Sequence, residues 1–528
     1  MTDLLSAIWL WLVVAALAAL SRYVSAFGIG IAAVVFYVFC LVQLLAYAKI
    51  INPITLALAL VLPLLFYLRR RKVAVIGSLF QLRKRLRALF SETIEQLTRP
   101  EILVKCCVIL VLVGIALYLR IRQPLAEVRY ATVESYELLL SVRKLIAAEP
   151  AGGVLASLMA ALSLLASVDA INAVRFLTPL VGLLLVVAVA ATVRATTVNA
   201  SSWIIAAYAL SAYTFDLSNL RQTGSQVQSL AEALSMAYPR QWAAGELELA
   251  LIFLLLTCLY LLSKKYLQAI FAALLVTLYS PLLLSVAAAA LFITYVGSRF
   301  ARYSVLITLA IGLFVPAILC FNFGLPNWGT ALLPAALALT LAALAEVVAI
   351  SFPTVLRDYV QAAILGVFIV LSLQLLPQKI APRFLEYDAT ARASLRIVST
   401  RPRKRWSMIA PIEQLPQVYG CGWYEDLGEF VDRFVDFDNR QIEAFFEREV
   451  YVFVEKVPFN YFGSEPAGVP FDILADKVYR RYRSPAGRTA LQYRAMQVCE
   501  TLLRNGGTVY YEDEYVKIYR FGKNGGYQ

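Results

Sequence analysis

Residues 120–150, RIRQPLAEVRYATVESYELLLSVRKLIAAEP, sit between two apolar runs and carry acids and bases in nearly equal measure. Glu134 and Glu137 stand three apart, which on a helix puts both carboxylates on one side. Arg129 precedes them, and Arg143 and Lys144 follow. A carboxylate that takes the proton of a nucleophile, with cations that receive a departing phosphate, is a working set for transfer from a phosphate ester. Tyr136 adds a ring against which a sugar could lie. A second polar segment, 217–247, holds Arg221-Gln222 and Arg240-Gln241, then Trp242 and Glu246. The planar fork of Arg221 and Arg240 suits phosphate oxygens, while Gln222, Gln241 and Trp242 suit a sugar acceptor. Each motif has a plainer reading beside it. Residues 133–146 could be an amphipathic surface helix with ordinary charge pairs, and the arginines and Trp242 could be interfacial anchors.

The chemistry available to the chain is bounded by what it lacks. None of the 528 residues is histidine, so His-dependent triads, His-ligated metals and imidazole acid/base catalysis are excluded. Catalysis must use carboxylates, Tyr, Lys or Arg. Of the seven cysteines, Cys40, Cys106, Cys107, Cys258 and Cys320 fall in or beside apolar runs without metal-ligand spacing and read as packing residues. Cys421 and Cys499 lie in the polar C-terminal region, and the sequence leaves their pairing open.

Positioning these groups is the work of an apolar scaffold. With 60% hydrophobic and 16% charged residues and a mean hydropathy of +0.70, the chain reads as a polytopic α-helical membrane protein. Its net charge of +13 sits largely in short loops beside apolar runs, where it sets orientation, so nucleic acid is not an expected partner. Runs at 5–20, 25–48 and 51–68 precede a strongly basic loop, which belongs in the cytoplasm. The run at 103–119 then leads outward, placing 120–150 outside. Runs at 248–262, 266–280, 281–297, 303–320, 330–350 and 359–376 alternate basic and uncharged loops, which places 217–247 and everything after Pro377 outside as well. Between two outer segments the number of crossings must be even. Of the three runs near 152–168, 176–193 and 201–215, the last is read as short or re-entrant. The total is about twelve spans, or about fourteen if a run is split.

From Lys379 the composition turns polar. SLRIVST, RWSMIAP, a helical DLGEFVDRFVD, the apolar YVFVEKV, a helical RTALQYRAMQVCETLLR and a hairpin TVYYEDEYVKIYRFG describe a small extracytoplasmic α/β domain. The expected division is residues 1–102, N-terminal spans and basic loop; 103–377, transmembrane core; and 378–528, the soluble domain.

The polar outer loop with an acidic residue before a tyrosine (Glu134, Ser135, Tyr136), followed by an apolar run and VDAINAVRFLTPLVGLLLVVAVAATVRATT, resembles the core of the GT-C superfamily. These are integral-membrane glycosyltransferases that use polyprenyl-phosphate sugars, such as protein mannosyltransferases, aminoarabinose transferases and oligosaccharyltransferases. The similarity covers roughly residues 103–377 and rests on short motifs. It implies a GT-C-like bundle, a plasma-membrane location and transfer of a sugar from a polyprenyl-phosphate donor to an extracytoplasmic glycan, lipid or protein. In the family the loop usually holds an essential Asp or Asp-Glu pair; here the matching residue is Glu134, and the loop contains no Asp. Without histidine, a metal bridging carboxylate and phosphate would have to be an oxygen-ligated Mg or Mn. A catalytically silent scaffold presenting the C-terminal domain is the main alternative. A lipid or polymer transporter is disfavoured because Asp169, Arg175, Asp216, Glu346 and Arg357 fall at the ends of the expected spans.

Overall fold

The computed structural model describes residues 2–25, 30–70, 100–130, 132–197, 202–211, 240, 242–279, 303–322, 326–374, 384, 386–400, 406–411, 423–434, 449–458, 485–504 and 506–522. The apolar runs form helices: α1 Thr2–Ser25, α2 Ile31–Tyr47, α3 Pro53–Arg70, α4 Pro100–Ala126, α5 Val133–Ile146, α6 Val154–Ala166, α7 Ala170–Thr196, α8 Ser202–Ser211, α9 Glu246–Leu262, α10 Tyr266–Tyr279, α11 Tyr303–Asn322, α12 Pro326–Ile350 and α13 Thr354–Gln374. With the three helices named below, the described residues hold sixteen. Two stretches, Ala170–Thr196 and Ala331–Ile350, are long and apolar enough to cross a bilayer. The basic loop at 71–99 and the run at 281–297 lie outside the described residues.

The chain divides into two compact units, one comprising Met1–Leu125, Ser141–Phe323 and Trp328–Ile380, the other Ala126–Leu140, Gly324–Asn327 and Ala381–Gln528. In the first unit α7 is the central helix, packed against α1, α6, α8, α9 and α11. It is apolar nearly all round, and Phe176, Leu177, Val181, Leu185, Val189 and Val193 are all buried. Its start is fixed by Asp169, whose carboxylate accepts from the Ile171 amide at 2.8 Å. Two indoles pin α1 to this hairpin: Trp9 donates to the Ala166 carbonyl and Trp11 to that of Phe176, both at 2.9 Å.

The second unit is built on a five-stranded mixed sheet in the order β2-β1-β3-β5-β4, with β1 Trp406–Ala410, β2 Trp423–Asp426, β3 Glu449–Glu455, β4 Thr508–Glu512 and β5 Val516–Phe521. Strand β1 runs parallel to β2 and β3, whereas β5 is antiparallel to β3 and β4. The unbroken apolar run of EVYVFVE puts apolar side chains on both faces of β3, and both are covered. Val450, Val452 and Val454 pack with α15 (Leu427–Arg433) and α16 (Pro485–Leu503). Tyr451 and Phe453 point the other way, to Ile397 of α14 (Asp388–Thr400) and to Trp406, Met408 and Ile518. Asp426 starts α15 by accepting from the amides of Gly428 and Glu429. Gly507, at φ +146°, leads from α16 into β4 at a point where a Cβ would stand 2.6 Å from the Phe521 ring. Cys499 is a buried free thiol in this core, and Cys421 lies outside the described residues.

Candidate functional site

Helix α5 carries the paired carboxylates. Ser135, Leu138, Leu139, Val142 and Leu145 recur at helical spacing and are buried. Glu134 in the first turn and Arg143 and Lys144 in the last complement the helix dipole. Glu134 and Glu137 share a face turned from the buried stripe, and they feel one another. The Glu137 carboxyl is held above the usual glutamate range, first because surrounding protein strips water from it and second because of the Glu134 charge. Lys144 follows Glu137 by seven residues, about 10 Å along that side of the helix. Arg143 lies round the other side from Glu134, so the cations are further from the acids than adjacency in sequence suggested.

Four residues of the same segment, Glu127, Arg129, Tyr130 and Tyr136, make an internal clamp. Arg129 grips Glu127 with a two-pronged ion pair, Nε to Oε2 at 3.0 Å and Nη2 to Oε1 at 2.9 Å, and donates through Nη1 to the Glu386 carbonyl at 3.1 Å. Its guanidinium stands 3.9 Å from the centre of the Phe384 ring. Tyr136 is 3% exposed, donates its hydroxyl to Glu386 Oε1 at 2.6 Å and accepts from the Tyr130 amide at 3.3 Å. The Tyr130 and Tyr136 rings meet edge to face at 5.0 Å. The positions expected to meet phosphate and sugar, Arg129 and Tyr136, are therefore engaged in holding the loop to Phe384 and Glu386.

The second polar segment shows the same tendency where it is described. Arg240 and Glu248 form a buried ion pair at 2.8 Å. The other carboxylate oxygen of Glu248 accepts from the Gly245 amide at 2.7 Å. Trp242 is buried, and its carbonyl accepts from Thr178 of α7 at 2.8 Å. Glu246 accepts from the Leu155 and Ala156 amides, each at 3.0 Å, and so caps α6 from outside. The N-termini of α6 and α9 thus lie side by side, and residues 147–153 and 242–245 leave the bundle at one end. Arg221, Gln222 and Gln241 lie outside the described residues.

Glu386 escaped the reading of the sequence, because an isolated acid after the last apolar run carries no motif. Glu346, read as lying at the end of a span, is fully buried in α12, accepting from Ser202 Oγ at 2.6 Å while Gln361 donates to the same hydroxyl at 2.7 Å. That joins α8, α12 and α13. Among the described residues no group of three Cys, Asp or Glu side chains gathers to hold a metal ion.

No protein-family model, curated protein or solved structure matches the chain.

Proposed function

We propose that the chain is a multi-pass plasma-membrane glycosyltransferase with a GT-C-like bundle of about twelve spans, transferring a sugar from a polyprenyl phosphate to an extracytoplasmic glycan, lipid or protein. The observation that carries this reading is the outward pair Glu134 and Glu137 on α5, with the Glu137 carboxyl shifted upward. Glu134 is the base. The acceptor oxygen attacks the anomeric carbon, the bond to phosphate breaks with its electron pair going to the phosphate oxygen, and the acceptor proton passes to Glu134. Lys144, on the Glu137 side of the same helix, is the cation assigned to the phosphate, and Arg143, on the opposite side, is not.

Membrane insertion is supported by what the helices leave uncovered. On α10, Leu267, Ile270, Leu274 and Leu278 form an apolar stripe 41–63% exposed, and Ile311 and Val315 of α11 are likewise exposed. Hydrocarbon is a suitable solvent for such faces. The common end of α6 and α9 supports placing the two polar segments on one side, and the C-terminal domain is assigned to that extracytoplasmic side.

The scaffold reading also draws on an observation, since Arg129, Tyr136 and Arg240 spend their polar groups on internal partners. The two are separated with full-length protein in liposomes carrying polyprenyl-phosphate mannose, glucose or arabinose labelled in the sugar. Release of label from the lipid, lowered by at least about 100-fold in Glu134→Gln, supports the enzyme. Release that is absent with every sugar, or unaltered by the substitution, supports the scaffold.

A further inference from the structure

We propose that Glu386 is a positioning residue for the carboxylates of α5, an assignment that rests on the transferase reading above. The inference starts from helix geometry. At about 100° per residue, Glu134 lies about 160° round the helix from Tyr136 and Glu137 about 100° from it. Fixing Tyr136 inward therefore forces Glu134 outward. Tyr136 is fixed by one strong contact, the 2.6 Å bond from its hydroxyl to the buried Glu386 carboxylate. Glu386 also receives Arg129 on its carbonyl, and Phe384 receives it on its ring, four residues before α5 begins. The approach of the chain to the helix and the rotation of its first turn are thus both set by a segment more than 200 residues away in sequence.

A bond between two buried groups does this better than packing alone. An apolar contact tolerates rotation of the ring, whereas a phenol that gives its proton to a carboxylate has one direction in which the bond is short. Glu386 touches neither acceptor nor donor in this assignment; it acts through Tyr136. Because a displacement of about 1 Å in a reacting group can cost on the order of 100-fold in rate, loosening this bond reaches the chemistry without removing any reacting atom.

The test uses full-length protein in the labelled polyprenyl-phosphate-sugar liposomes, with four variants compared to wild type. Tyr136→Phe and Glu386→Leu each lower kcat by about tenfold with KM within about twofold, and the double variant is no worse than either single one. Glu386→Gln, which keeps an oxygen to accept the Tyr136 proton, stays within about threefold of wild type. Hydrogen exchange of the 134–138 amides quickens in the Phe and Leu variants and not in the Gln variant. Tyr136→Phe removes a single oxygen and carries the comparison should Glu386→Leu not fold. Wild-type kcat in Tyr136→Phe while Glu134→Gln is dead overturns the positioning role and leaves the enzyme standing, as does multiplication of the two losses in the double variant. Full transfer by Glu134→Gln overturns both.

Discussion

Glu246 closes the N-terminus of α6 across ninety residues of sequence, its Oε1 lying 3.0 Å from the Ala156 amide. The position before that helix is Gly153, at φ +104°, where a Cβ would fall 2.3 Å from the same carboxylate oxygen. Acid and glycine are a matched pair: the residue that could have capped its own helix has no side chain, and the space is taken by a cap from α9. Glu246→Ala is expected to destabilise the protein by about 1–2 kcal/mol through the lost cap. Gly153→Ala is expected to cost more, because backbone strain adds to the collision. Thermal unfolding of the purified protein in detergent checks both.

Arg240 and Glu248 form the other tie at this end, and both are buried. Removing one charge strands its partner, so Arg240→Met is expected to lose about 3–5 kcal/mol. Arg240→Met with Glu248→Leu is expected to recover most of that loss. A double-mutant cycle read by denaturant unfolding measures the coupling.

In the C-terminal domain Lys517 donates to Glu500 at 2.7 Å, and Tyr519 donates to the same oxygen at 2.8 Å. The Lys517 bond, then that from Tyr519, holds the Glu500 carboxyl below the usual glutamate range, and Lys517 is raised in return, chiefly by its bond to Glu500. A lowered acid contributes stability that is present above its unfolded value and lost as pH falls through the folded one. A raised lysine contributes below its unfolded value and loses that contribution as pH rises through the folded one. The pair therefore favours the fold across the neutral range, modestly because Glu500 is about half exposed. Lys517→Met is expected to flatten the acid limb of stability, followed by hydrogen exchange of the β5 amides from pH 3 to 7.

Glu137 offers a test in the opposite sense. Its carboxyl is raised by loss of water and by Glu134, and the repulsion acts on both partners. Glu137→Gln is expected to move the acid limb of sugar release to lower pH, by less than about one unit, because Glu134 ionises more readily beside a neutral neighbour. A limb that does not move means that Glu134 is not the group it reports.

Much of the fold could be read from residue order. The apolar YVFVEKV falls on β3, TVYYEDEYVKIYRFG marked the β4–β5 hairpin, and RTALQYRAMQVCETLLR marked the helix now seen as α16. Those signals are local, since period and turn residues act on their own neighbourhood. The site was less legible because its decisive partners are remote. Tyr136 beside Glu134 has the look of a sugar platform until Glu386, 250 residues on, takes its hydroxyl. Arg240 and Trp242 have the composition of headgroup anchors, and only the neighbours brought by α7 and α9 turn them into core. No period in the sequence encodes such a pairing.

The bond from Arg129 to the Glu386 carbonyl joins residues 257 positions apart, and this sets an order of events during synthesis. At roughly 5–20 residues per second, the ribosome delivers the partner on the order of ten to fifty seconds after the arginine. Until then the loop has neither its carbonyl nor its buried carboxylate to hold. The half-made chain must keep Arg129 and Tyr136 waiting, and a nascent protein stopped before residue 384 carries an unclamped loop.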